Sequence, residues 1–178
     1  MKISTKIIGF LAIVSLAFAS MSFLLKPDYS KSSVIFKIKN AGIGVDGAFK
    51  IFEVHIDYNE SAKAASSIKA TIKTESIDTG IEGRDKHLRK EEYFNVAAFP
   101  DIIFESTQIL KTTSGGFIAE GKLTIKGVTK DIRIPFTYTN GVFEGPLTLN
   151  RLDYGVGGSS LTMGNDVEVL LKVAAATK

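Results

Sequence analysis

Apolar and polar residues alternate with a period of two along most of the chain, the signature of half-buried β-strands. Val34, Phe36 and Ile38 alternate with Ser33, Ile35, Lys37 and Lys39. The segment Phe52-Glu53-Val54-His55-Ile56-Asp57-Tyr58 alternates without a fault, as does Ile68-Lys69-Ala70-Thr71-Ile72-Lys73. Phe117, Ala119, Gly121, Leu123 and Ile125 share one face, and Ile132, Ile134, Phe136 and Tyr138 share another. The last run sets Val167, Val169, Leu171 and Val173 against Glu168 and Lys172. Ser114-Gly115-Gly116, Lys126-Gly127 and Asn140-Gly141 separate the runs, and the Asn-Gly between Tyr138 and Phe143 is a strong hairpin signal.

Two stretches depart from the alternation. Between Val45 and Tyr58 the apolar phase slips, with Val45, Phe49 and Ile51 at odd positions and Phe52, Val54 and Ile56 at even ones. A β-bulge or sharp bend near Ile51 reconciles the two halves. From Glu82 to Val96 the sequence EGRDKHLRKEEYFNV is dense in charge, and Leu88, Tyr93, Phe94 and Val96 are its only large apolar residues. That composition predicts a short helix or ordered loop lying over one end of the sheet. The pattern as a whole predicts an all-β fold of about eight antiparallel strands, closed as a barrel or stacked as a sandwich. No alternation of strands with helical segments is present, which argues against doubly wound and TIM-type enzymes.

The N-terminus reads differently. Lys2 and Lys6 precede an apolar run from Ile7 to Ala19, and Ala17-Phe18-Ala19 has the small-x-small form of a signal-peptidase site. Residues 1–19 are therefore expected to be a signal peptide, with residues 20–27 a linker and residues 28–175 the barrel. The rival reading is an uncleaved anchor reaching Leu25, because the uncharged stretch continues to Lys26. Export makes the periplasm or the extracellular medium the expected location. The whole chain has 22 Lys+Arg against 19 Asp+Glu, and residues 1–19 hold two of the lysines. The mature chain is then 20 against 19, a net of +1, so the basic pI near 9.0 belongs to the precursor and gives no ground for a nucleic-acid partner.

Composition removes several chemistries. The 178 residues include no cysteine, which excludes disulfide scaffolds, zinc–thiolate sites and thiol nucleophiles. Only two histidines, His55 and His87, are present, too few and too far apart for a multi-histidine metal centre. No Gly-x-Ser-x-Gly elbow occurs around Ser159-Ser160, and no histidine follows them to complete a triad. The acidic residues are scattered over polar faces, so no carboxylate pair is specified.

Several segments taken together resemble the YceI-like family of exported, lipocalin-like proteins. They begin with Asp28-Tyr29-Ser30-Lys31-Ser32-Ser33-Val34-Ile35-Phe36 and Gly47-Ala48-Phe49. The most specific are Ser76-Ile77-Asp78-Thr79-Gly80, Arg84-Asp85-Lys86-His87-Leu88, Tyr93-Phe94-Asn95-Val96 and Phe99-Pro100. Phe104-Glu105-Ser106-Thr107, the run from Gly121 to Lys130, Asn150-Arg151-Leu152-Asp153-Tyr154-Gly155 and Gly164-Asn165-Asp166-Val167 complete the series. The resemblance covers essentially residues 28 to 173. It implies an eight-stranded antiparallel lipocalin-like barrel, with the short helix or ordered loop near one mouth, whose tunnel holds a polyisoprenoid or similar amphiphile. It also implies binding, transport or storage, sometimes linked to stress, with no catalysis. Lys31 and Asn40 stand where the family often has histidine, which alters any head-group contact made from those positions.

On this reading the tunnel is lined by Phe36, Ile38, Phe49, Phe104, Leu123, Ile125, Phe136 and Val169, for each of which plain core packing is the simpler alternative. Arg84, His87 and Arg151 are the candidates for the mouth, where a guanidinium offers a planar fork to a polar head. The structural alternatives are that Asp85 caps the helix, that Arg84 pairs with Asp85 or Glu82, that His87 is solvated or pairs with a neighbouring carboxylate, and that Arg151 ties the barrel end. The expected partner is a long-chain lipid held non-covalently, with no cofactor and with the membrane as lipid source rather than anchor. A homodimer through an outer apolar patch such as that around Ile35 is an open alternative to a monomer. Two other functional classes stay open: an interaction module with a solid core, and an enzyme acting on a lipid, which needs an acid or base inside the tunnel.

Overall fold

The computed structural model describes residues 22–59 and 64–176. The segment expected to be a signal peptide lies outside the described residues. Ten strands are present among the described residues: β1 (Ser22–Asn40), β2 (Ile43–Phe49), β3 (Phe52–Asn59), β4 (Ala64–Lys73), β5 (Ile77–Asp78), β6 (Asp101–Lys111), β7 (Phe117–Ile125), β8 (Val128–Thr139), β9 (Val142–Asn150) and β10 (Met163–Ala176). They form one antiparallel sheet that closes on itself where β10 pairs with β1.

Two pairs of these strands are single strands interrupted by a bend, so the barrel has eight staves. β2 and β3 both pair with β1, at Val34–Asn40 and Ser22–Leu25 respectively, and β4 and β5 pair with β3 and β2 in the same order. The breaks face each other. Lys50 and Ile51 leave the ladder opposite a 3-10 turn at Thr74–Ser76, and Lys50 N–H donates to the Ser76 carbonyl at 3.1 Å. The Ser76 hydroxyl accepts from Ile51 N–H at 3.0 Å and donates to the Lys73 carbonyl at 2.6 Å. This is the bend that the phase slip around Ile51 predicts: the side-chain row resumes on the inner face one residue out of step.

Residues 22–27 belong to the barrel rather than to a linker. Leu25 lies opposite Ile56 of β3, is 1% exposed and sits in the core cluster. The linker expectation failed because Phe23-Leu24-Leu25 is apolar enough to continue a leader yet equally able to pair with a strand edge.

One seam of the barrel is short. β8 and β9 are joined by the Asn140-Gly141 turn and pair only from Thr137–Glu144 to Thr139–Val142. Both turn residues have positive φ, 52° and 77°, as a tight hairpin of this hand demands. Carried one step further, the register sets Phe136 opposite Gly145, where a methyl group would overlap the Pro135 carbonyl. The next step sets Pro135 opposite Pro146, and neither has an amide hydrogen to continue the ladder. The two strands separate there, and Tyr154 and Val156 are buried in the core cluster beyond that point.

The two ends of the barrel differ. At one end an aromatic layer stacks across the interior: Tyr138 lies 4.2 Å from Phe143 and 5.5 Å from Tyr58, and Phe117 stacks on Phe136 at 5.3 Å. At the other end lie the β1–β2 turn, helix α1 (Glu82–Leu88) with residues 89–99 after it, the β7–β8 turn and residues 151–162. Helix and following segment are pinned down. Arg89 donates from Nε and Nη2 to the carbonyls of Glu75 and Ile77, and Lys126 Nζ donates to the carbonyls of Glu92 and Gly155.

Candidate functional site

Inside the barrel is a cavity of about 270 Å³, walled by the inward rows of all eight staves. Phe36, Ile38, Phe49, Phe104, Leu123, Ile125, Phe136 and Val169, the eight residues expected inside, all lie on this wall. Their placement follows from the pleat: each belongs to a row of every second residue, and barrel closure turns that row inward. Gly47 shapes the wall by its lack of a side chain, because a methyl group there would overlap the Phe36 ring. Phe36 instead lies 5.6 Å from Phe49, which packs edge-on against Phe94 at the same distance.

The cavity stops at the aromatic layer, since Phe136 and Phe143 line it while Tyr58, Tyr138 and Phe117 lie beyond the wall. Its other end reaches Asn40, Val45, Thr79, Arg84 and Met163, and Leu88, Tyr93 and Phe94 roof part of it. The roof residues were legible as the isolated apolar members of the charged segment, although their place on the wall was not. Among the described residues Glu144 is the one carboxylate bordering the wall; its own side chain is exposed, between the inward positions of Phe143 and Gly145.

Arg84 sits at the mouth, half-buried, with its guanidinium anchored on one residue. Nε donates to the Thr79 hydroxyl at 2.7 Å and Nη2 to the Thr79 carbonyl at 2.8 Å. Among the described residues it has no carboxylate partner, so the expected pairing with Asp85 or Glu82 is replaced by this clamp; Glu82 pairs with Lys86 at 2.6 Å. Asp85 does not cap the helix either. It lies in the middle of α1, is 6% exposed, and accepts hydrogen bonds from the Thr79 N–H at 2.9 Å and the Thr79 hydroxyl. Thr79 thus organises both charges; its segment and that of Arg84-Asp85 are both among the most specific of the resemblance, but neither shows that the three side chains meet.

Arg151 is on the wall but is consumed by structure. It is 5% exposed, and Nε, Nη1 and Nη2 donate to the Gly164 carbonyl at 2.9 Å, the Val156 carbonyl at 2.9 Å and the Asn165 side-chain oxygen at 3.1 Å. This is the reading in which the arginine ties the barrel end, joining the start of β10 to the 3-10 turn after β9. His87 is not at the mouth. It is absent from the cavity wall, its side chain is about half exposed, and it rests against Tyr93 at 5.0 Å with Glu92 at 4.0 Å. A helix position three residues from Arg84 should share its face, but α1 ends within one residue of His87 and Tyr93 comes between it and the interior.

Residues 25–175 match the YceI-like domain family. A "UPF0312 protein" of Pseudomonas aeruginosa is 34% identical over 149 residues, covering 78% of this chain and 78% of that protein. Among solved structures, Burkholderia cenocepacia BcnA superposes with a TM-score of 0.78 at 26% identity, over 85% of this chain and 100% of that one. A polyisoprenoid binding domain from Saccharophagus degradans shares the fold, with a TM-score of 0.61 at 16% identity over 89% of this chain and 100% of its own. A closed eight-stave antiparallel barrel with one short helix, matched along almost its whole length, makes this chain a member of the YceI-like domain family.

Proposed function

We propose that this chain is an exported carrier or reservoir that holds a polyisoprenoid, quinone-like or other long-chain amphiphile in its barrel, tail inward and head at Arg84. The observation that carries the reading is the cavity of about 270 Å³, whose wall holds no acidic side chain turned inward. Its size is just below the roughly 300–1,000 Å³ of small-molecule sites, which suits one extended chain better than a bulky ring system. Each buried methylene contributes about 0.8 kcal/mol, and ordering and association take back a large share. The name of the Saccharophagus degradans domain supports an isoprenoid as the tail.

Arg84 suits the head because Thr79 holds it at the mouth with no carboxylate in direct contact, and one of its terminal nitrogens makes no hydrogen bond among the described residues. A guanidinium so placed favours a phosphate, carboxylate or quinone oxygen. A solid-core interaction module fits poorly with a cavity of this size. An enzyme needs a positioned acid or base in the tunnel, and the wall offers only two arginines, two tyrosines at the mouth end and the outward Glu144.

The test is to purify the exported protein without detergent and compare native with denaturing mass spectrometry. A reproducible extra mass that moves into organic solvent supports the carrier reading and identifies the lipid class. A protein that carries nothing and takes up no polyprenol, quinone or fatty acid on titration refutes it.

A further inference from the structure

We infer that the open end of the barrel is a bilayer-docking rim, built by three exposed aliphatic side chains on separate segments around the mouth. Leu161 is fully exposed, with a relative exposure of 107%; Ile43 and Ile81 are 70% and 56% exposed. Each lies two residues from a residue on the cavity wall: Leu161 from Met163, Ile43 from Val45, and Ile81 from Thr79. Register brings the first two together. Asn40 pairs with Met163 on one side and with Ile43 on the other, and Ala41 N–H donates to the Thr162 carbonyl at 2.8 Å. Ile43 therefore extends the inward row of Val45 and Phe49 past the edge of the barrel, so the apolar surface of the tunnel runs without a break onto the rim.

What the rim lacks points to a bilayer as much as what it has. Residues 155–165 contain no charged side chain, nor do residues 40–45, in a chain in which 23% of residues are charged. Immersing those two tips among lipid head groups therefore strands no buried charge, and aliphatic side chains gain by reaching the acyl boundary. Ile81, beside the exposed Glu82–Lys86 ion pair, meets the bilayer at head-group level. Lys39 flanks the tips, exposed and without an ion pair among the described residues, as expected of a cation facing lipid phosphates. A protein partner would more often be met by aromatic and arginine anchors, which these tips do not carry. The inference rests on the carrier reading to this extent: a docked rim gives a lipid tail a path from bilayer to tunnel without crossing water.

Because the chain has no cysteine, single labelling sites are easily made in the full-length protein. Leu161→Cys with an environment-sensitive fluorophore is compared with Leu110→Cys, at the far end of the barrel, on vesicles of phosphatidylethanolamine and phosphatidylglycerol. A blue shift and quenching by brominated lipid at 161 but not at 110 is expected. No shift at 161, or equal shifts at both sites, overturns the rim, and saturable labelling changes with a protein but not with vesicles would transfer it to a protein partner. In parallel, the double variant Ile43→Asp, Leu161→Asp is expected to take up a fluorescent polyprenol from vesicles about tenfold more slowly, while uptake from detergent solution is unchanged. Wild-type uptake from vesicles overturns the rim. Failure of the wild-type protein to take up polyprenol from either source counts against the carrier reading instead, and the labelling arm still decides docking.

Discussion

Arg84 and Asp85, adjacent in the chain, are joined through the Thr79 hydroxyl and not by a direct ion pair: that oxygen accepts from Arg84 Nε at 2.7 Å and donates to Asp85. The consequence is a guanidinium held at the mouth of an apolar cavity with its fork free of direct carboxylate contact. A direct pair would have occupied that fork.

Thr79→Val keeps the shape of the side chain and removes this hydroxyl. Asp85 then retains only the Thr79 N–H, and Arg84 loses the acceptor for Nε. The expected loss of stability is about 1–3 kcal/mol, the cost of leaving a buried polar group short of partners, with restoration in Thr79→Ser. Urea unfolding of the two variants measures it. Equal midpoints for Val and wild type would show that the bridge contributes nothing.

Filling the tunnel should separate binding from folding. Leu123 is buried in mid-β7 with the cavity in front of it. Leu123→Trp ordinarily costs about 1–3 kcal/mol as overpacking, but here the indole occupies space that is already empty. The expected result is loss of lipid uptake with a nearly unchanged unfolding midpoint. Undiminished uptake would place the ligand somewhere other than the tunnel.

Arg151 should behave in the opposite way. Replacement by Met abandons three acceptors, on Gly164, Val156 and Asn165. Each such loss costs about 1–3 kcal/mol, so a total of about 3 kcal/mol or more is expected, seen as a lowered thermal midpoint. Arg151→Lys recovers only part of it, because one ammonium cannot span three directions. A variant as stable as wild type would return Arg151 to the head-group role.

Stability should fall at both extremes of pH, through identifiable groups. The Asp78 carboxyl is held below its ordinary value of 3.8, chiefly by the Gly80 N–H and then by Lys50, and Asp28 is held down chiefly by the Ser30 hydroxyl. Their contributions are present above the unfolded value and disappear as pH falls through the lower folded one. Both carboxylates face solvent, so the effect is small and weakens with salt. Tyr154 is raised above 10.0 by burial, and then by the Asp153 charge. Its contribution is intact below pH 10 and is lost as pH rises through the higher folded value. Chemical denaturation across pH should show a flatter acid limb for Asp78→Asn and a flatter alkaline limb for Tyr154→Phe. Unchanged limbs would remove these groups from the account.

Strand positions were legible because the inner face of a barrel needs every second residue to be apolar, and that period is written directly in the chain. The same row placed all eight expected wall residues, and the phase slip located the bend at Ile51. Of the two readings open to His87, the structure favours the solvated one beside a carboxylate, Glu92, because Tyr93 packs against the ring and His87 does not reach the cavity wall. Residues 22–27 were misread because an apolar leader and an edge strand have the same local composition.

What the sequence determined by itself, then, is the alternation, the hairpin turns and the set of residues that must face inward, all of which are local consequences of backbone geometry. Whether that inward surface meets as a solid core or leaves a cavity was decided only in three dimensions, by how eight bent staves close and by glycines such as Gly47 that withhold a side chain at a crossing. The same holds for the mouth. Thr79, Arg84 and Asp85 form one network, and Ile43 and Leu161 one rim, only because turns far apart in the chain are gathered at the same end of the barrel, and no local pattern records which turns those are.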